Sequence, residues 1–359
     1  MNSEAEEIPM SVQVAIFGAT GYGGAELLRN LLGHPHVEGA RAVAIDHVGE
    51  PVGSVHPTLR GTTSLVIEQM SAKEAAQGMD AIFFALPHKT SAEIIMQLFD
   101  EDIRILDLSG DFRLQDSADY AAFYAPDHPC HEASESFVYG LPELNRDALR
   151  SARRVASPGC FATNIALGLL PAARAGWLTG PAKVVAMTGS SGSGAMARPT
   201  THHPLRARNL RTYRPLSHQH APEIEQTLRG AGASGAFALQ FIPVSAPLVR
   251  GIFSTAFIDV PAEVDDDAVA AAFDALYADE PFIRVLRDHK PEVNAVAGSM
   301  YAELGWHLDD EIQDGRRTLV CFSALDNLVK GGAGQAVQSF NVMMGWPDTT
   351  GIDRPALWP

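Results

Sequence analysis

Residues 12–32 read VQVAIFGATGYGGAELLRNLL. Five of the first six are apolar and rich in β-branched side chains, the next seven hold four glycines, and the last eight carry leucines at helical spacing. Strand, glycine turn, helix is the order this pattern predicts. Such a turn suits a phosphate, because a backbone without side chains approaches a pyrophosphate closely and the amides of the helix N-terminus point at it. The spacing of Gly18, Gly21 and Gly24 is GxxGxxG rather than GxGxxG, so its meaning comes from its place between strand and helix. A connection that needs glycine only for packing is the plainer alternative. Thr20 and Tyr22 belong to the same turn.

Outward from this unit, further strand candidates lie at 41–46, at AIFFAL (81–86) and at IRILDL (103–108), with the helix-like SAEIIMQLF (91–99) between the last two. Each ends in polar or turn residues (Asp46-His47, Pro87-His88, Ser109-Gly110-Asp111), the place where open α/β sheets bind ligands. The expected fold is therefore α/β. A Rossmann-type dinucleotide-binding domain spans 1–155, an α+β catalytic and oligomerisation domain spans 156–325, and a segment from 326 to 359 returns to the first domain. The second domain is marked by the cluster TGSSGSG (188–194), by strand-like FALQFIPV (237–244) and GIFSTAFIDV (251–260), and by an amphipathic helix over 265–278 with acidic residues at its start. Residues 334–344 read as the returning helix.

Composition narrows the function. The chain has 359 residues, 46% hydrophobic and 19% charged, as expected of a soluble protein with two domains. A formal charge of −16 repels polyanions, which argues against general nucleic-acid binding. No apolar run reaches the length of a membrane span and the N-terminus lacks an apolar signal region, so a cytoplasmic protein is expected. Three cysteines at irregular spacing (Cys130, Cys160, Cys321) support neither a disulfide framework nor a metal site.

Cys160 stands apart from the other two. In RVASPGCFATNIALGLLP (154–171) a Pro-Gly turn precedes it and a helical pattern follows, whose N-terminal amides would favour a thiolate. A buried thiol acting as a small hydrophobe is the structural alternative. A nucleophilic thiolate needs a proton partner near neutral pH, and His218 and His220 in SHQH are the candidates, although either could be a hydrogen-bonded structural histidine. No further ligand cluster accompanies them, so no metal is expected. Arg206, Arg208, Arg211 and Arg214 crowd the segment before this pair and would hold an anionic substrate, or else form a solvated face. Arg113 and Arg250 are two more candidates.

Taken in order, GATGYGGAELLRNLLGHP, HPTLRG, LDLSGDFRL, SPGCFATN, SHQHAPEIEQ, LVRGIFST and LDNLVKGGAGQAVQSFNVMMGW resemble the motifs of the N-acetyl-gamma-glutamyl-phosphate reductases, within the aspartate-semialdehyde dehydrogenase-like group. They cover nearly the whole chain. The resemblance implies reduction of N-acetyl-glutamyl 5-phosphate to the 5-semialdehyde with release of phosphate, a step of arginine synthesis, in a homodimer or homotetramer. Cys160 would form a thioester and His218 would be the acid/base. Arg113, Arg208, Arg211 and His220 would hold the substrate. NADP would lie against Gly18, Thr20, Gly21, Tyr22, Gly24, Asp46, Pro87, Ser190, Gly192 and Asn327.

Two features depart from that pattern. Where the family carries a serine-arginine segment for the NADP 2′-phosphate, this chain reads AIDHVGEP (44–51), and an acidic Asp46 suits the ribose hydroxyls of NAD. The segment THHPLRARNLRTYRP (201–215) resembles instead the variant that reduces an aminoadipate or glutamate phosphate on a small acidic carrier protein in lysine synthesis, a partner its arginines would attract. A third reading is a non-catalytic nucleotide-binding sensor in which Cys160 is incidental.

Overall fold

The computed structural model describes residues 11–358. The chain divides into two compact units, the first built from residues up to Gln115, His128–Ser157 and Ala333–Asp353, the second from Asp116–Asp127, Pro158–Gly332 and the chain from Arg354 onward. The boundaries differ from the sequence expectation, which ended the first domain at 155 and returned the whole of 326–359 to it. Residues 116–127, with the helix Ser117–Phe123, fold with the second unit, and the return to the first unit begins at Ala333 rather than at 326. The second difference has a local cause: Asp326 is wholly buried and accepts hydrogen bonds from Arg250 and Gly298, which keeps the turn after it in the second unit.

The first unit is a seven-stranded sheet in the order β3-β2-β1-β4-β5-β7-β6, formed by β1 (Val12–Phe17), β2 (Val37–Val43), β3 (Ile67–Glu68), β4 (Ala81–Phe84), β5 (Arg104–Asp107), β6 (Val138–Tyr139) and β7 (Arg154–Ala156). All its neighbouring pairs are parallel. A central parallel strand is covered on both faces, which is why β1 is apolar apart from Gln13, with Val14, Ala15 and Ile16 fully buried. The helix Tyr22–Leu31 buries Leu27, Leu28 and Leu31, the stripe that its leucine spacing predicts. Strand β2 starts and stops earlier than expected, because its register opposite β1 runs from Val12 to Phe17 and Phe17 leads into the glycine turn, leaving residues 44–46 without a β1 partner. The C-terminal helix Gly334–Met343 is buried along its length and sets Phe340 edge-on to Phe83 at 5.3 Å.

The second unit is a mixed seven-stranded sheet in the order β12-β13-β14-β11-β8-β10-β9, from β8 (Ala182–Thr188), β9 (Arg211–Thr212), β10 (Leu239–Ser245), β11 (Ile252–Pro261), β12 (Ile283–Val285), β13 (Ala302–Gln313) and β14 (Arg316–Leu325). Burial along β8 alternates strictly, so one of its faces packs inward and the other is open. The helix Cys160–Arg174 packs on β11 and β14, and Tyr277 of the helix Asp266–Tyr277 donates to the Leu167 carbonyl at 2.7 Å. Val185, Met187 and Phe257 are exposed on β8 and β11.

Candidate active site

Cys160 opens the helix Cys160–Arg174, with Gly159 as N-cap in extended conformation. No side chain caps this end and no acidic residue lies in its first turn, and a helix start of this kind favours negative charge. The thiol is half-buried. Glycine is required before it, because a Cβ at Gly159 would overlap Nε2 of His220. The Gly159 amide donates to Oε1 of Glu223 at 2.8 Å, which ties the turn to the helix Ala221–Ala231. Gly331 closes in on Cys160 as well: a Cβ there would lie 2.9 Å from the Cys160 Cβ.

His218 and His220 are both buried. The His218 ring stands edge-on to Phe161 (5.3 Å), Tyr213 (5.7 Å), His220 (4.8 Å) and Phe241 (5.4 Å). Burial first, and then the charge of Arg214, pull its pKa down to about 4, so the ring is neutral at pH 7. Its Nδ1 accepts the His220 backbone N–H at 3.1 Å, which leaves the proton of the neutral ring on Nε2. Tyr213 joins these residues to the arginines. Burial and then the Cys160 charge raise its pKa, while Arg206 and Arg214 lower it, so one phenol senses the thiol and two guanidiniums together.

The arginines divide by place. Arg206 is half-buried and donates to the Thr188 carbonyl at 3.3 Å, and burial with the neighbouring Arg211 lowers its pKa. Arg211 donates to the Thr200 carbonyl at 3.0 Å and Arg214 to Oε1 of Gln219 at 2.9 Å, both from exposed positions. Arg208 is exposed in the same segment. Arg250 is engaged elsewhere, forking onto the buried Asp326 carboxylate at 2.8 and 3.2 Å. That carboxylate also accepts the amides of Gly298 (2.6 Å), Leu328 (2.8 Å) and Val329 (3.1 Å), fixing the turn that carries Gly331. Asn327 holds two loops, accepting the Gly251 amide at 2.7 Å and donating to Ser191 at 3.0 Å, with Ser190 and Gly192 on either side of that serine. Ser190, Gly192 and Asn327 thus belong to the second unit.

The nucleotide turn lies in the first unit. Gly18 has φ +77°, and a Cβ on it would overlap the Ala85 carbonyl at the end of β4, close in sequence to the exposed Pro87. Gly24 packs as tightly on Gly18. Gly21 caps the helix Tyr22–Leu31 without a side-chain bond, its own Cβ position meets only the Gly18 carbonyl oxygen at 3.5 Å, and no acid occupies the first turn. This uncapped, glycine-lined helix end fits a nucleotide phosphate. Tyr22 is exposed beside it, and Thr20 donates from Oγ1 to Oδ1 of Asp46 at 2.7 Å. Arg113, expected on the substrate, is buried in this unit. It donates to the carbonyls of Ser157 and Leu108 at 2.7 Å, which the ends of β7 and β5 present just past their last paired residues.

Sequence reasoning did not single out Tyr213, Glu223 or Asp326, although each sits inside a quoted segment. Among the described residues no cluster of three or more His, Cys, Asp or Glu could hold a metal ion, and no helix is long and apolar enough to cross a membrane.

A parallel nucleotide-binding sheet, a mixed second sheet and a cysteine at a helix mouth define a two-unit dehydrogenase architecture. The description "Semialdehyde dehydrogenase, NAD binding domain" matches residues 13–152, and "Semialdehyde dehydrogenase, dimerisation domain" matches 160–327. The chain is 41% identical to the LysW-L-2-aminoadipate 6-phosphate reductase of Deinococcus radiodurans (96% of this chain, 98% of that one), and 37% identical to the N-acetyl-gamma-glutamyl-phosphate reductase of Marinobacter nauticus (97% and 100%). Aspartate semialdehyde dehydrogenase II of Vibrio cholerae shares the fold at a TM-score of 0.71 and 17% identity, over 93% of this chain and 98% of that one. The chain belongs to the semialdehyde dehydrogenase family. It is therefore an oxidoreductase, and the non-catalytic sensor reading falls.

Proposed function

We propose that the chain reduces N-acetyl-L-glutamyl 5-phosphate to N-acetyl-L-glutamate 5-semialdehyde and phosphate. The observation that carries this reading is the half-buried Cys160 thiol at an uncapped helix start, in the same unit as the buried His218 and the arginine segment that leads into it. A nucleophile beside clustered arginines suits an acyl phosphate, whose carbon is attacked while its phosphate is held. The Cys160 sulfur bonds to the acyl carbon, the bond from that carbon to the phosphate oxygen breaks, and phosphate leaves with the electron pair. A thioester remains on Cys160. A nicotinamide nucleotide, held by the glycine turn from Gly18 to Gly24, supplies when bound the hydride that takes the acyl group to the aldehyde level. His218, neutral and protonated on Nε2, donates to the acyl oxygen as negative charge develops there. Collapse then returns the sulfur as thiolate, with Glu223 and Gly331 holding the turn around it in place.

A second substrate reading is favoured by the exposed part of the arginine segment. Arg208 and Arg211 sit at the surface of a chain of net charge −16, a local positive patch suited to an acidic protein that carries an aminoadipate or glutamate phosphate. The 41% identity to the reductase named for LysW agrees with it. The test runs the reaction in reverse, with phosphate and oxidised nucleotide, on N-acetyl-L-glutamate 5-semialdehyde and on the same semialdehyde amide-linked to an acidic carrier domain. Turnover of the N-acetyl compound with comparable or higher kcat/KM supports the first reading. Turnover of the carrier-linked compound alone replaces it with the second.

The open face of the second sheet, with Val185, Met187 and Phe257, is assigned to contact with a second copy of the chain. The description of this domain as a dimerisation domain in its family supports that assignment.

A further inference from the structure

We infer that the nucleotide site selects the cofactor that lacks a 2′-phosphate, with Asp46 as the specificity-determining residue. The inference rests on the proposed nicotinamide-dependent reduction and deepens it. Asp46 stands three residues beyond the end of β2, where an open dinucleotide-binding sheet meets the adenosine ribose. Its carboxylate is held in place, because Thr20 of the glycine turn donates to Oδ1 at 2.7 Å. Oδ2 makes no hydrogen bond or ion pair among the described residues, and it remains an acceptor for ribose hydroxyls.

Among the described residues, the basic side chains of 41–60 already have hydrogen-bond partners. His47, at φ +55°, turns its Nδ1 to Oε1 of Glu50 at 3.1 Å, which adds a second carboxylate to the same loop. Arg41, on β2, is engaged by the carbonyls of Glu74, Ala75 and Gln77. Arg60 donates to the Gly53 carbonyl at 3.3 Å. A 2′-phosphate would bring like charge against Asp46, whereas a 2′-hydroxyl gains an ionised acceptor. The family resemblance leads to the opposite expectation, NADP. The structural neighbour from Candida albicans described with NADP is 13% identical, so its likeness bears on the fold alone.

Equilibrium binding of NADH and NADPH, read by nicotinamide fluorescence without substrate, tests the inference in the native protein, in Asp46→Asn and in Asp46→Arg. Asp46→Asn retains an oxygen for the Thr20 hydroxyl, removes the charge and turns the ribose-facing oxygen into an amide donor. The native protein is expected to bind NADH at least about tenfold more tightly than NADPH, and Asp46→Asn to narrow that ratio about tenfold, with Asp46→Arg reversing it. Tighter native binding of NADPH, or an unchanged ratio in both variants, would overturn the inference. Selective NADH binding by a protein that fails to reduce any acyl phosphate would leave it standing and sink the reading it rests on. Binding of neither nucleotide would overturn both.

Discussion

Single residues around Cys160 do separable work, and substitutions can read them apart. Gly159→Ala places a methyl group on His220, an overpacking that costs about 1–3 kcal/mol where the backbone must shift, and we expect kcat and the rate of Cys160 alkylation to fall together. His218→Asn should lower kcat by about 10² to 10⁴ with nucleotide affinity unchanged, as steady-state kinetics and binding would show. The buried groups also set how the fold responds to acid. Burial, then the Arg214 charge, holds the His218 imidazole at about 4 against an ordinary 6.5. Between those values the unfolded chain takes up a proton that the folded chain refuses, so stability falls as pH drops from about 6.5 to about 4. Asp107 acts in the other direction, since burial raises it from 3.8 to about 6 and the folded chain binds its proton more readily. Asp107→Asn should therefore steepen the acid-side loss of stability, seen as denaturant midpoints at pH 7, 5.5 and 4.5, and a shallower loss would contradict these assignments. At this scale Cys160 and the histidine pair were legible because turn, thiol and helix adjoin in sequence. Glu223 and Asp326 were not, because what they do is bind amides 64 and 28 residues away, at Gly159 and Gly298, and no local spacing encodes such a pairing.

Among the elements, those of the first unit were legible wherever periodicity and punctuation agreed. Strand β1, the glycine turn and the helix Tyr22–Leu31 follow one another as the apolar run, the glycines and the leucine stripe dictate. The end of β2 was misplaced because strand length is set by the register with β1 and not by its own residues. The hairpin of β13 and β14 was missed for a different reason: Ala302–Trp306 is buried on both faces, so the first half of β13 lacks the alternation that marks a strand. Elements of the second unit also depend on caps and a hub. Asp265 accepts the Ala268 amide at the start of its helix, and Asp265→Ala should cost about 1 kcal/mol in denaturant unfolding. Asp326→Asn should cost about 3 kcal/mol, because it leaves the Arg250 charge and three amides poorly matched. The same variant should slow Cys160 alkylation through the Gly331 turn, and an unchanged alkylation rate would separate that turn from the thiol's reactivity.

At the scale of the whole molecule, two units and one acidic chain divide the labour. Composition and motif order made the class legible, while the substrate was not, because the arginines of 206–214 suit a small acyl phosphate and an acidic carrier alike. The open face of the second sheet leads to a further expectation. Phe257→Glu places a charge among exposed apolar side chains and should shift the protein toward monomer in sedimentation, with the helical content unchanged. A native protein that is already monomeric would contradict the assignment of that face.

The central claim is that Cys160 takes the acyl group before any hydride arrives, and the most direct test is intact-protein mass spectrometry after mixing with N-acetyl-L-glutamyl 5-phosphate and no nicotinamide nucleotide. The account predicts one N-acetyl-glutamyl group per chain, mapped to Cys160 and labile to hydroxylamine, with release of a matching amount of phosphate and none of either in Cys160→Ser. Phosphate release and an adduct that persist in Cys160→Ser, or no adduct in a native protein that turns over once nucleotide is added, would contradict it.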